Sequence, residues 1–146
     1  MRYLFSVVLL SAALGACKSK EDCDSESFDG ELFFSSDDST GTVSGTLQWA
    51  DTVEDGLYIE IGVTSDNGAY YGALSKGGLF DMPETCGTEM AFRIDKVDSG
   101  PFRVWAGIQE DGAGGDSAVV AYVAEGESEV FDLTDGPISG VVVEMK

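Results

Sequence analysis

The sequence predicts an all-β domain: a single antiparallel β-sandwich of about seven to nine strands, preceded by an apolar N-terminal segment and an acidic tether. Apolar and polar residues alternate with a period of two along many short runs, as in strands that bury one face. Beyond the N-terminal segment, no run of residues has the i, i+3, i+4, i+7 spacing of an amphipathic helix. The 19 glycines suit the many turns that such a fold needs.

Four strands are predicted in the first half of the domain. Residues 43–49 and 57–63 alternate most clearly, so each run presents one apolar face. A shorter strand over residues 70–74 follows the turn sequence Asp66-Asn67-Gly68. Residues 31–35, just after the charged segment, are predicted to form a first, edge strand.

The second half of the domain repeats this alternation. Residues 90–95 and 102–108 are predicted strands joined by the turn sequence Asp98-Ser99-Gly100. An acidic, glycine-rich segment follows, and Glu125-Gly126-Glu127 is predicted to be a hairpin turn. The remaining predicted strands cover residues 119–124, 130–133 and 141–145.

The first 17 residues have the layout of an export signal. Arg2 supplies a positive charge, residues 3–14 are almost all apolar, and small residues precede Cys17. The apolar run is shorter than the roughly 20 residues that cross a bilayer. Leu14-Gly15-Ala16-Cys17 resembles the lipobox of bacterial lipoproteins. The resemblance implies cleavage after Ala16, diacylation of Cys17, and a lipid-anchored protein of the bacterial cell envelope.

The chain therefore divides into three predicted segments. Residues 1–16 form a lipoprotein signal peptide, residues 17–30 a lipidated acidic tether, and residues 31–146 the β-sandwich domain. Lys18, rather than an aspartate, follows the lipidated cysteine. In sorting of the enterobacterial kind this favours the outer membrane, with the domain on the periplasmic face or the cell surface.

Charge excludes one class of partner. The chain has 27 acidic and 8 basic residues, a net charge of −19. Loss of Arg2 with the signal brings the net charge of the mature chain to about −20. Such a charge repels nucleic acid and anionic lipid surfaces, and no segment collects enough Lys or Arg to bind phosphates. We therefore expect no nucleic-acid partner.

The three cysteines fit export. With Cys17 lipidated, Cys23 and Cys86 remain as one pair in an oxidising compartment, and we predict a disulfide between them. Such a bridge would stabilise the fold by roughly 4 kcal/mol through loop entropy. Free thiols or a thiolate metal site are the alternatives. A chain without histidine is poorly equipped for the four-ligand zinc site.

A second resemblance lies in residues 92–106. There a strand ends, a short turn with Gly100 follows, and the next strand reads aromatic-x-Val-x-Ala over residues 102–106. This stretch resembles the carboxypeptidase-regulatory-like and transthyretin-like Ig-type domains of secreted bacterial proteins. Ser44-Gly45-Thr46-Leu47 resembles their opening strand, and Val141-Val142-Val143-Glu144 their closing strand. The resemblance covers about residues 42–146 and implies an Ig-like sandwich that serves as a non-catalytic module.

The residue types argue against catalysis. The chain has no histidine, which removes Ser–His and Cys–His dyads and the commonest general base. Paired carboxylates can hydrolyse glycosides, but 27 acidic residues would bring some pair together in any fold. We expect no enzyme and no catalytic residues.

Aromatic residues offer a candidate ligand site. Trp105 lies on the strand face opposite its apolar neighbours, and with Tyr70 or Tyr71 it would form a stacking platform for a sugar or peptide. Trp49 and Tyr58 are further candidates. The alternative is that these rings belong to the core or cover it.

An acidic loop offers a candidate metal site. Glu110, Asp111 and Asp116 carry the hard oxygen ligands that calcium prefers, in a glycine-rich loop. Ala113 and Gly115 occupy positions that an EF-hand fills with Asp or Asn. A solvated hairpin loop is the alternative, and no other cofactor is expected.

These observations predict a function class rather than an activity. We expect a non-enzymatic, lipid-anchored cell-envelope protein that acts as an interaction, adhesion or structural module. Its lipid anchor would bind the membrane, and its domain would contact a protein or glycan partner. The alternative is a carbohydrate-binding or calcium-dependent binding module.

Overall fold

A computed structural model describes residues 27–33, 41–76, 82–110 and 121–146. Within these ranges the chain forms nine β-strands, a single-turn 3-10 helix at Leu133–Asp135 and no α-helix, so the all-β prediction is confirmed. The strands are β1 (Ser27–Leu32), β2 (Gly41–Gln48), β3 (Tyr58–Ser65), β4 (Tyr70–Ser75), β5 (Glu89–Val97), β6 (Pro101–Gln109), β7 (Tyr122–Glu127), β8 (Phe131–Asp132) and β9 (Ile138–Glu144).

These strands belong to one sheet that curves almost into a closed barrel. Neighbours follow the order β7-β6-β3-β4-β1-β5-β2-β9, and β8 pairs with β6 outside this path. The two ends of the order meet where Glu125 and Lys146 exchange backbone hydrogen bonds, with N···O distances of 3.3 and 3.0 Å. The structure therefore has one nearly closed, barrel-like sheet in place of the two facing sheets of the predicted sandwich.

Strand β4 makes the sheet continuous. Residues 70–72 pair with β3, whereas residues 73–75 pair with β1. Because one strand bonds to different neighbours along its two halves, the sheet bends at β4 instead of dividing into two. The period-two alternation does not distinguish these architectures, since a barrel and a sandwich both bury one face of every strand.

Strand direction also differs from the prediction. β1 runs parallel to β5 and β2 runs parallel to β9, so the sheet is mixed rather than antiparallel. β1 begins at Ser27, ahead of the predicted domain boundary at residue 31, and pairs on both sides. The predicted edge strand over residues 31–35 is therefore an interior strand that starts earlier.

The predicted hairpin turn Glu125-Gly126-Glu127 is part of β7. A Cβ atom at Gly126 would lie 2.1 Å from the backbone oxygen of Glu144, just after the valines of β9. Glycine in a strand marks either a bend or the close approach of another backbone. At Gly126 it marks the approach of β7 to β9.

Two other turn predictions are confirmed. Asp66-Asn67-Gly68 joins β3 to β4, and Asp98-Ser99-Gly100 joins β5 to β6. Gly68 has φ of 81° and Gly100 has φ of 136°, values that favour glycine. The predicted strand over residues 130–133 is shortened to β8, because the 3-10 helix begins at Leu133.

The core fills the inside of the barrel. Its most buried apolar side chains, each at most 2% exposed, are Val43, Leu47, Ile59, Ile61, Ile94, Val97, Val104, Ala106, Ile108 and Val143. Trp49 also belongs to this core, and its indole Nε1–H donates to the Gly87 carbonyl oxygen at 2.8 Å. Trp49 is therefore a core residue and not part of a stacking platform.

An ion-pair network on the outer face joins Lys76, which follows β4, to β1, β5 and β2. Lys76 Nζ lies 2.8 Å from Asp29 and 2.5 Å from Asp95. The Thr42 hydroxyl donates to Asp95 at 2.8 Å, and Arg93 Nη2 lies 3.1 Å from Asp95 Oδ1.

The hydrogen bond from Lys76 is the main cause that lowers the pKa of Asp95 to about 2. The resulting stabilisation is present above about pH 4 and is lost as the pH falls towards 2.

Closure of the barrel predicts a position-dependent effect of glycine replacement. Gly126→Ala would press a methyl group against the Glu144 carbonyl, so the two backbones must separate. We expect a loss of about 1–3 kcal/mol in the free energy of unfolding, measured by urea denaturation.

The matched control is Gly72→Ala in β4. A Cβ atom there would have the Tyr70 hydroxyl oxygen as its nearest atom, at an ordinary 3.7 Å. Its effect should stay below about 1 kcal/mol. Equal effects of the two substitutions would contradict the close approach of β7 and β9.

Candidate functional site

Three aromatic side chains meet on the outer face of the sheet. Trp105 of β6 alternates with the buried Val104 and Ala106, so it projects away from the core. Its ring contacts Tyr70 of β4 at a centroid distance of 5.3 Å and Tyr122 of β7 at 5.1 Å, with interplanar angles of 80° in both pairs. Both are edge-to-face contacts, which aromatic pairs favour.

Glu60 of β3 joins the two tyrosines. The Tyr70 hydroxyl donates to Glu60 Oε1 at 2.9 Å, and the Tyr122 hydroxyl donates to Glu60 Oε2 at 2.6 Å. Each carboxylate oxygen therefore accepts one phenolic hydrogen. We call Glu60, Tyr70, Trp105 and Tyr122 the aromatic–carboxylate cluster.

Two glycines leave room for the tyrosine rings to lie over the outer surface of neighbouring strands. A Cβ atom at Gly62 would lie 2.6 Å from Cε2 of Tyr70. A Cβ atom at Gly107 would lie 2.6 Å from Cδ1 of Tyr122 and 2.8 Å from Cη2 of Trp105. The rings thus occupy the space above β3 and β6 that other side chains would fill.

The cluster keeps both phenols protonated. Burial is the largest cause that raises the pKa of Tyr70 and Tyr122 above the ordinary tyrosine value. The negative charge of Glu60 and its hydrogen bonds raise both pKa values further. Both hydroxyls therefore remain donors to Glu60 at physiological pH.

Carboxylates surround the rings. Glu127 of β7 pairs with Trp105, which places their Cβ atoms about 4.5–5.5 Å apart on one face. Glu125 shares that face because it lies two residues along the strand. Arg103 Nη1 lies 3.9 Å from Glu127 Oε2. Among the described residues, no lysine or arginine lies within ion-pair distance of Glu60.

The predicted platform is only partly the one observed. The structure brings Trp105 and Tyr70 together, but Tyr71 projects to the other side and packs against the core. Tyr122 and Glu60 were not predicted. The alternation places Glu60 on the polar face of its strand, yet the sequence carries no signal that β3 lies between β4 and β6.

Tyr71 instead lines a cavity at one end of the barrel. The cavity has a volume of about 130 Å³. Its lining residues are Leu32, Val63, Ser65, Tyr71, Val97, Asp98, Ser99, Gly100, Pro101 and Phe102. Pockets for small molecules usually measure about 300–1,000 Å³, so this cavity is a weaker candidate than the cluster.

Gln109 is a buried polar residue that the alternation did not predict. It is 1% exposed, and neither its amide nitrogen nor its amide oxygen has a hydrogen-bond partner within the described part of the chain. Its register partners are Tyr58 and Tyr122. The Gln109 side chain therefore lies buried beside the cluster.

The predicted calcium ligands are described only in part. Glu110 is exposed at the end of β6, and Asp111 and Asp116 lie outside the described residues. In the ranges that the structure describes, no group of three or more Asp, Glu, Cys or His side chains could hold a metal ion. The calcium site over these three residues stays a prediction.

The predicted lipidation and disulfide sites also extend beyond the described residues. Cys17 and Cys23 lie outside them, whereas Cys86 is half-buried just before β5. Lipidation at Cys17 and the Cys23–Cys86 bridge therefore stay predictions. The described ranges contain no helix with the length and apolar character needed to cross a membrane.

The shared carboxylate predicts a measurable change in tyrosine ionisation. Glu60→Gln removes the negative charge, so the pKa values of Tyr70 and Tyr122 should fall. They should stay above the ordinary value, because burial is the largest cause and remains. Ultraviolet absorbance during alkaline titration measures this. Glu89→Gln, an exposed change on β5, is the control. Identical titration curves for the two variants would exclude a role for Glu60.

Comparisons with known proteins assign no family. The chain matches none of the protein-family models, curated proteins or solved structures with which it was compared. The resemblances to bacterial lipoproteins and to Ig-type domains therefore stay hypotheses.

Proposed function

We propose that this protein is a non-enzymatic, lipid-anchored protein of the bacterial cell envelope that binds a partner through the aromatic–carboxylate cluster. The observation that carries the proposal is the position of the three rings. They lie on the outer face of four strands, whereas the core is formed by the opposite face. Burial of the core therefore does not explain why they are there.

The cluster has the properties of a prepared binding surface. Tyr70 is 41% exposed, and Trp105 and Tyr122 are half-buried. Tyrosine and tryptophan are enriched among the residues that dominate binding energies. Each tyrosine is held by a ring contact and a hydrogen bond. Because the rings are already ordered, they lose little side-chain entropy when a partner binds.

The envelope location rests on the lipobox-like residues 14–17. Two acyl chains on Cys17 would hold the chain at the membrane without protein contacts, at about 0.8 kcal/mol for each buried CH₂. Lys18 favours the outer membrane. A Cys23–Cys86 disulfide in an oxidising compartment would fix the tether to the segment before β5. The acidic domain would be repelled by anionic lipid, which keeps its outer face accessible.

The chemistry of the side chains supports the proposal of a non-enzymatic role. The chain has no histidine for proton transfer near neutral pH. Both carboxylate oxygens of Glu60 already accept hydrogen bonds from tyrosines. The most prominent carboxylate of the site therefore acts as a structural acceptor.

Carbohydrate binding is the second candidate, and the half-exposed Trp105 beside Tyr70 favours it. It would use the same surface, since sugars stack on aromatic rings. Calcium-dependent binding would use Glu110 with Asp111 and Asp116, and no contact among the described residues favours it.

Lipid anchoring predicts a specific effect at Cys17. Cys17→Ser should abolish palmitate incorporation and release the protein from the membrane fraction, because the acylated sulfur is lost. Metabolic labelling followed by fractionation measures both effects. Cys86→Ser, which removes a different cysteine, should keep the label. Palmitate that persists in Cys17→Ser would contradict the anchor.

Partner binding predicts a specific effect at Trp105. On a glycan array or against envelope proteins, Trp105→Ala should weaken binding by about tenfold or more, as expected for a central aromatic contact. The control is Val142→Ala, an exposed apolar residue on β9. If both variants bind as well as the wild type, the cluster is a structural cover and not a binding surface.

A further inference from the structure

We infer that the aromatic–carboxylate cluster binds a cationic side chain, lysine or arginine, of a partner protein. The inference rests on the proposed function and adds the chemistry of the partner to it. Three observations support it: the negative charges around the rings, the lack of a described lysine or arginine paired with Glu60, and the arrangement of the three rings.

The charge of Glu60 is not balanced by the residues around it. Its two hydrogen bonds come from neutral phenols, which orient the carboxylate but bring no positive charge. Glu60 is half-buried, and no described lysine or arginine pairs with it. A partly desolvated carboxylate is stabilised by an opposite charge nearby. A cationic side chain would supply that charge.

Two more carboxylates extend the negative surface. Glu127 lies directly opposite Trp105 on β7, and Glu125 lies on the same face. Lys146 exchanges backbone hydrogen bonds with Glu125, so it is one described cation near this surface. Arg103 is another, and it pairs with Glu127 at 3.9 Å. Both side chains are more than 40% exposed, so the pair contributes little and can be exchanged for a partner's cation.

The rings themselves attract cations. The face of a tryptophan or tyrosine ring binds an ammonium or guanidinium group within about 6 Å of its centroid, and tryptophan binds best. Trp105 lies 5.3 and 5.1 Å from the two tyrosine rings, so a cation near Trp105 lies close to more than one aromatic ring. Rings and carboxylates therefore favour the same type of ligand.

Charge also selects the kind of molecule that carries the cation. The chain has a net charge of −19, which attracts basic polypeptides and repels nucleic acids and anionic lipids. A neutral glycan would use the rings but leave Glu60, with which no described lysine or arginine pairs, without a counter-charge. A basic segment of a partner protein would contact the rings and also supply the counter-charge.

The test compares two peptides on the full-length protein. One is a short peptide of alternating glycine and arginine, and the other has citrulline, which is neutral and nearly isosteric, at every arginine position. Calorimetry at physiological ionic strength should show that the arginine peptide binds about tenfold tighter or more. Equal affinities for the two peptides would overturn the inference.

Variants separate a specific site from general attraction by an acidic protein. Trp105→Leu keeps every charge and should weaken arginine-peptide binding about tenfold. Glu127→Gln, an exposed change that should not disturb folding, should weaken it by a smaller factor. Glu89→Gln removes the same charge on β5 and should have almost no effect. Equal effects of Glu127→Gln and Glu89→Gln, or no effect of Trp105→Leu, would overturn the inference.

The outcomes also separate this inference from the proposed function. If Trp105→Ala weakens binding on a glycan array while the arginine peptide does not bind, the cluster is a binding surface and the cationic ligand is wrong. If neither ligand depends on Trp105, the inference and the proposed binding surface both fail.

Discussion

The continuity of one sheet through β4 determines where everything else in this protein lies. Because residues 70–72 pair with β3 and residues 73–75 pair with β1, the chain forms one curved surface with an inner and an outer face. β3 then lies between β4 and β6, which are far apart in sequence. If β3 did not lie between these two strands, Tyr70, Glu60 and Trp105 would not be in contact.

The same strands build the core and the candidate site. On β3, Ile59 and Ile61 fill the barrel, while Glu60 lies between them on the outer face. The site then depends on glycine: Gly62 and Gly107 leave the outer surface open, and the tyrosine rings lie across it. Edge-to-face contacts contribute about 0.5–1.5 kcal/mol each, so the cluster also stabilises the sheet that carries it. Stabilisation and binding are therefore compatible roles for the same rings.

The sequence predicts those features that follow from the alternation of apolar and polar residues within one strand. It predicted most strand positions, the turn at Gly68 and the outward direction of Trp105. Alternation would also have separated Tyr70 from Tyr71, because adjacent strand residues project to opposite faces. It did not predict the order of the strands, the parallel pairs β1–β5 and β2–β9, or the closure at Glu125 and Lys146. These are contacts between distant segments, and a period of two looks the same in any sheet with one buried face.

For the same reason, the sequence does not predict that Glu60 and Tyr122 belong to the cluster. Each looks like an ordinary polar or aromatic residue on its own strand, and their hydrogen bond joins positions 62 residues apart in sequence. The sequence predicts a turn at Gly126 because this glycine, flanked by two glutamates, lies between two apolar runs. Its actual role is to let another backbone approach, a constraint that is visible only when β9 is in place.

The most direct measurement is nuclear magnetic resonance of the two tryptophan indole N–H groups. Trp49 is buried and its indole N–H is bonded to the Gly87 carbonyl, whereas Trp105 is half-exposed on the outer face. On addition of the arginine peptide, the Trp105 resonance should shift while the Trp49 resonance stays in place and exchanges slowly with solvent. A Trp105 resonance that does not respond, or a shift of equal size at Trp49, would contradict the account.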